Sequence, residues 1–261
     1  MLLAGSSTSE PQVGDRFSME DIDLLAFGGA LHGSEAMFRR RLRILDEVRK
    51  MIAEKGLEGV NIRTLSQKAD VSQKTLYNAF KNKDNMIALA IRSYFYSYLR
   101  RLVLDSDPET LEGAMERQVT LTLRNLQIKN YLVAIASIYF SSRIAAGTHE
   151  VLTEIGRTPY VKWLNRVDLS RDLKLEPVLA DLSNLQYAKV HEWGIGMLSD
   201  DQFVVQTMRA VFTYLSGALQ GADREALADL QAQYLVGDAL GTAVLDRANR
   251  KLASLTTAKK K

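Results

Sequence analysis

Between Asn61 and Phe80 two apolar stripes of helical period meet at a corner of only a few residues. No other feature restricts the fold of this chain so tightly. Ile62, Leu65 and Ala69 form the first stripe behind Asn61, whose side chain is suited to accept from the free N–H groups of a helix start. Ser72 can cap the second stripe, which carries Leu76 and Phe80. Two helices of roughly eight residues joined this closely must cross steeply, the first bracing the second, which is the helix-turn-helix arrangement. Leu65, Ala69, Val71, Leu76 and Phe80 would form the shared core. Gln73, Lys74, Tyr77 and Asn78 then fall on one outward arc, where they can hydrogen-bond to base edges and phosphates.

The charge of the chain gathers around the same corner. Residues 36–104 carry 15 Lys or Arg and six Asp or Glu, a net +9, against −5 over residues 1–35 and −1 over residues 105–261. Such a concentration marks a polyanion-binding surface or a merely solvated basic face. The motif it surrounds favours double-stranded DNA. Arg39, Arg40, Arg41 and Arg43 crowd the start of the helix before the motif; they cannot share one face, and one or two would reach flanking phosphates.

Elsewhere the pattern is helical almost throughout, and the fold class is all-α. Phe38, Leu42, Leu45, Val48 and Ile52 trace a first helix that Gly56 would end. Asn82 can cap a long fourth helix reaching about Leu104. Asp107-Pro108-Glu109 opens a segment 108–128, followed by helices over 131–146, 149–157 and 176–192, then about 201–220 and 224–252. No strand-like alternation with turn dipeptides is evident. Residues 1–33, rich in Gly, Ser and acids, read as a mobile arm. Residues 34–82 would be the helix-turn-helix domain, 83–255 a second helical domain and 256–261 a basic tail.

The run Ile44-Leu45 through Ile52-Ala53-Glu54-Lys55-Gly56, with Ile62-Arg63, Leu65, Ala69, Val71-Ser72, Thr75-Leu76-Tyr77 and Phe80-Lys81-Asn82-Lys83-Asp84, resembles the tetracycline-repressor (TetR) family of bacterial regulators. It covers about sixty residues of the 261. Asp70 stands where the family usually has glycine; a left-handed turn residue is needed there, and Asp tolerates that conformation better than most. Lys74, Asn78 and Ala79 also depart from the family's usual residues, which bears on which operator is read.

The resemblance implies a DNA-binding regulator of the repressor type, with a palindromic operator, a homodimer and release by a small-molecule effector. Thr75, Tyr77 and Lys83 would contact phosphates, and the positive end of the fourth helix independently favours a phosphate near Lys83. Ser72, Gln73, Lys74 and Asn78 would lie nearest the bases, with Arg63 and Thr64 of the bracing helix beside them. Two late helices, 201–220 and 224–252, would mate in the dimer through Phe203, Val204, Met208, Val211, Phe212, Leu215 and Leu219 and through Leu227, Leu230, Tyr234 and Leu235; burial within one monomer is the other reading of those faces. Tyr139, Arg143, Trp163, Tyr187 and His191 are the candidate effector residues, and no cofactor is implied.

Other functional classes leave weaker traces. The chain has no cysteine, and its three histidines, His32, His149 and His191, have none of the pairings that hold a metal. There is no Gly-x-Ser-x-Gly elbow or phosphate-binding loop, so an enzyme is not expected. A helical ligand-binding or scaffold protein with a vestigial helix-turn-helix is the nearer alternative. No apolar run approaches the ~18 residues of a membrane helix, and no leader is evident, so a cytoplasmic location without membrane contact is expected.

Overall fold

A computed structural model describes residues 35–99, 101–170 and 172–257 of the chain. The arm over 1–33 and residues 258–261 of the tail lie outside them. Among the described residues there are twelve α-helices and one two-stranded hairpin. The first four helices are α1 (Glu35–Lys55), α2 (Ile62–Lys68), α3 (Gln73–Phe80) and α4 (Lys83–Leu99). Then come α5 (Leu111–Leu126), α6 (Lys129–Tyr139), α7 (Ala146–Arg157), the single turn α8 (Val161–Leu164) and α9 (Leu175–Gly194). The chain ends in α10 (Asp200–Ala218), α11 (Gly221–Tyr234), the hairpin β1 (Leu235–Val236) and β2 (Ala239–Leu240), and α12 (Thr242–Thr257).

Hydrophobic spacing explains the arrangement. On α1, Ile44, Leu45, Val48, Met51 and Ile52 are buried, and this face packs on both α4 and α6. The opposite face carries the exposed Lys50 ion-paired to Asp46 and Glu47, contacts that contribute little to stability. Gly56 ends α1 with φ +68°, in a region where a side chain would be strained. Helix α4 is buried all round from Met86 to Ile91, because α1, α3 and α7 cover it. Behind it, α9 packs against α6, α7 and α10, and α12 folds back on α5. The buried residues form one continuous core from Ile44 to Leu252.

Several boundaries differ from the sequence reading. The fourth helix stops at Leu99. The segment expected from 108 starts at Leu111, because Thr110 caps it and accepts from Gly113 N at 3.1 Å. Asp107 is used one turn earlier, accepting from Glu109 N, and the buried carboxylate of Glu116 on α5 accepts from Asp105 N and Ser106 N. The next helix begins and ends earlier than expected, at Lys129–Tyr139, and the one after it begins earlier but ends as expected, at Ala146–Arg157.

The helix expected over 224–252 is two helices interrupted by the hairpin. Arg209 on α10 holds the hairpin's turn, donating to Gly237 O at 2.8 Å and Asp238 Oδ1 at 2.9 Å. Gly241 then passes so close to the α11 terminus that a Cβ would lie 2.2 Å from Gln233 O. A second correction concerns the apolar faces offered for dimerisation. Phe203, Val204, Met208, Val211, Phe212, Leu215, Leu219, Leu227, Leu230 and Tyr234 are all buried within the single chain, covered by α5, α9 and the packing of α10 on α11.

Candidate nucleic-acid interface

The bracing helix α2 starts where Asn61 Oδ1 accepts from Arg63 N at 2.9 Å and Thr64 N at 3.1 Å. Its last residues lead into Asp70, which takes φ +52°, the left-handed conformation required of that corner. Ser72 caps α3 by accepting from Thr75 N at 3.1 Å, and its hydroxyl also shares a hydrogen bond with Thr75 Oγ1 at 2.8 Å. Leu65, Ala69, Leu76 and Phe80 are buried between the helices, and Val71 packs half-buried against them.

This core leaves one face of α3 to solvent. Gln73, Lys74, Tyr77 and Asn78 are exposed together, with Tyr77 showing 46% of its surface although its ring is largely apolar. Such a ring exposed beside amide and ammonium groups suits a sugar–phosphate surface, where both its body and its hydroxyl find partners. Ser72 is exposed and Thr75 half-buried at the start of the helix; Arg63 and Thr64 are exposed on α2. Lys83 stands half-buried in the first turn of α4, next to Asn82, which accepts from Asn85 N at 2.8 Å. The fold therefore brings every proposed DNA-contacting residue onto α2, α3 and the start of α4.

The arginine cluster is partly structural. Arg43 Nη2 donates to Ala69 O at 2.9 Å and Arg41 Nη2 to Ala79 O at 3.2 Å, so these two clamp the ends of α2 and α3 to α1. Burial lowers the pKa of Arg41. Arg39 and Arg40 are exposed. Sequence reasoning also missed Lys81, which turns the corner between α3 and α4 at φ +66°, with Asn82 N bonded to Phe80 O at 2.8 Å.

A second candidate site lies behind the first. A cavity of about 100 Å³ opens among α4, α5, α6, α7 and α9. Tyr187 lines it and donates its hydroxyl to Leu152 O at 2.9 Å. Tyr139 stacks on Tyr187 with centroids 4.3 Å apart and donates to Asn184 Oδ1 at 2.6 Å, but it stands outside the lining. Trp163 is buried on α8, while Arg143 and His191 are exposed; none of the three lines this cavity.

Much of its polar wall is built from residues that the sequence reading passed over. Arg124 of α5 donates to Tyr94 Oη of α4 at 3.1 Å, and its guanidinium lies 5.3 Å over the Tyr98 ring. The Arg49 guanidinium of α1 lies 4.9 Å over the Tyr94 ring. Burial pushes the Tyr98 hydroxyl pKa up to about 12 and raises that of Tyr131 further. Helix spacing placed Tyr94 and Arg124 on their helices, but only the packing of α4 on its neighbours reveals that they meet.

Residues 44–90 match the family model described as "Bacterial regulatory proteins, tetR family". A curated relative, the HTH-type transcriptional repressor KstR of Mycolicibacterium smegmatis, is 34% identical over 86 residues, which are 33% of this chain and 40% of that protein. The matched region thus spans well under half the length of that relative. Two solved structures share the fold at 16% identity. One is a TetR-family transcriptional regulator from Rhodococcus sp., with TM-score 0.52 over 68% of this chain and 100% of the other. The second, from Streptomyces coelicolor, has TM-score 0.50 over 85% and 91%. No helix among the described residues is long and apolar enough to cross a membrane.

Proposed function

We propose that the chain, whose residues 44–90 match the TetR family of bacterial regulatory proteins, is a transcriptional repressor released from its operator by a small molecule. The observation that carries this reading is the exposed arc Gln73, Lys74, Tyr77 and Asn78 on α3, set on a brace whose opposite face is fully packed. Phosphates would be met by Thr75, Tyr77 and Lys83, and base edges by Gln73, Lys74 and Asn78. Arg63, Thr64 and Ser72 would flank them. The net +9 of residues 36–104 supplies the long-range attraction.

One such head covers too few base pairs for a specific site, so the protein acts as a homodimer on a palindrome whose half-sites are a helical turn or a multiple of one apart. Since the apolar stripes of α10 and α11 are used inside the monomer, mating falls to their outward faces. These carry small exposed residues, Thr213 and Gly217 on α10 and Ala222, Ala226 and Ala232 on α11, which allow close approach of helices across a two-fold axis.

The effector enters the cavity behind α4. That helix begins at the DNA-facing Lys83 and ends with Tyr94 and Tyr98 in the cavity wall, so both sites act on one element. A ligand shifts the equilibrium only by binding one spacing of the heads better than the other, typically by ~1–3 kcal/mol.

Selection of genomic fragments on the purified protein, followed by gel shift and sedimentation, tests the proposal. A dimer retaining a palindromic sequence supports it. A protein that folds yet binds no DNA at low salt overturns it in favour of a scaffold with a vestigial motif.

A further inference from the structure

Among the described residues, the cavity wall carries one cationic side chain, Arg124, and no Asp or Glu. Among the described residues Arg124 is paired with no carboxylate: its partners are the Tyr94 hydroxyl and the Tyr98 ring. Three buried polar atoms that belong to lining residues have no hydrogen-bond partner within the protein, namely Arg124 Nη1, Tyr98 Oη and Tyr131 Oη. A buried guanidinium N–H and two buried phenols without acceptors are costly. All three can donate, and their residues are linked: Arg124 touches Tyr98 and Tyr94, and Tyr94 meets Tyr131 edge to face with ring centroids 5.3 Å apart, while Ile91, Leu121, Leu132 and Ile135 supply an aliphatic part of the lining. Among the described residues, the amides of Asn125 and Gln186 are its only side-chain acceptors besides the phenols, and neither bonds to these three atoms.

We propose that the cavity binds an apolar molecule bearing a single carboxylate, whose oxygens accept from Arg124 and the neighbouring tyrosine hydroxyls while its hydrocarbon body lies against the aliphatic wall. The inference rests on the reading of this cavity as the effector site. A carboxylate matches the planar donor fork of a guanidinium better than any neutral head does, and it brings two acceptors to a lining with three unpartnered donors. An ammonium head would face Arg124 with like charge and find no carboxylate to pair with. Size narrows the class further. Cavities of about 150 Å³ take up benzene; this one encloses about 100 Å³ and is partly open, so it holds roughly four heavy atoms of a short chain whose far end reaches its mouth. The same contact has a consequence for Tyr94, which would have to share Arg124 with the ligand while Arg49 of α1 remains on its ring.

Titration calorimetry and thermal melting of the full chain with hexanoate, 1-hexanol and hexylamine test this. Hexanoate should bind and raise Tm. It should bind about tenfold or more tighter than hexanol, the ratio expected when one charge-assisted hydrogen bond is made by the acid alone. Hexylamine should bind weakest. In Arg124→Gln the preference for hexanoate over hexanol should vanish while hexanol still binds, which shows that the cavity is intact. The wild-type series stands without the variant if Arg124→Gln fails to fold. Hexanol binding as tightly as hexanoate, hexylamine binding best, no hexanoate binding, or an undiminished preference in Arg124→Gln would each overturn the proposal. DNA affinity measured on the same samples separates the two readings: operator binding without acid binding removes only the ligand class, and acid binding without DNA binding removes only the regulator.

Discussion

The reading head and the cavity behind it treat their polar groups in opposite ways. In the head, Asn61, Ser72 and Asn82 turn their side chains onto backbone N–H groups two or three residues ahead, and Arg41 and Arg43 reach the carbonyls that end two helices. The polar side chains that remain, from Gln73 to Asn78, face water. Around the cavity, Tyr98, Arg124 and Tyr131 keep buried polar atoms unpartnered. A surface proposed to meet a large polyanion keeps its frame nearly closed, Arg41 Nε being its one buried unpartnered side-chain atom among the described residues, and its contacts outside. A site for a small molecule holds its unmet donors within the core, where the low dielectric makes each of them count.

The sharpest way to break this contrast is ionic strength. If a dimer contacts ~6–10 phosphates, DNA affinity should fall by roughly 10³–10⁵ between 50 and 200 mM salt. Hexanoate affinity should change little, because one buried pair is poorly screened. Gel-shift titrations and calorimetry across the same salt series check both, and a DNA constant indifferent to salt would remove the electrostatic basis of the head. Next in size, Lys74→Ala should lose ~1–3 kcal/mol of discrimination at particular base pairs, whereas Tyr77→Ala should weaken every sequence alike, because phosphate contacts carry no base information. Competition binding on a mutated operator library separates these outcomes; uniform loss in Lys74→Ala assigns that residue to the backbone instead.

Smaller effects probe the frame itself. Asn61→Ala removes a cap with two hydrogen bonds and should cost ~1 kcal/mol in urea unfolding. Tyr131→Phe removes a hydroxyl with no partner and should leave stability unchanged or slightly improved. A loss above ~1 kcal/mol in Tyr131→Phe would mean that the hydroxyl is satisfied, which weakens the case for an acceptor-bearing ligand.

The same contrast explains what could be read from the sequence. Caps and corners depend on residues two to four apart, so Asn61, Ser72 and the left-handed Asp70 were legible, as was the outward arc of α3. Arg43 was legible only as charge, since its carbonyl partner lies 26 positions away. The cavity joins residues from five helices, and no spacing rule brings Tyr94 to Arg124. Tyr187 alone of the five proposed effector residues lines that cavity. The late hairpin escaped because two-residue strands have no periodicity, although Gly237 and Gly241 within five residues mark the break. The apolar stripes of α10 and α11 were visible, but periodicity identifies a buried face without saying whether the covering helix belongs to the same chain.

Helix α4 is buried on all sides at its middle and free at its DNA end. From Tyr94 to Lys83 it spans eleven residues, or ~17 Å. In the proposed mechanism it would work as a lever with its fulcrum in the packed segment Met86–Ile91 and one arm in the wall of the cavity. A swing of ~10° about that fulcrum, which lies ~8 Å from Lys83, would carry Lys83 and the corner at Lys81 by ~1.5 Å. In a two-fold pair both heads would move at once and in opposite senses, so the distance between them would change by up to about 3 Å. That is close to the rise of one base pair, ~3.4 Å. The stiffness that six consecutive buried residues give to the middle of α4 is thus what would let a ligand of a few atoms alter the reach of the dimer along the DNA.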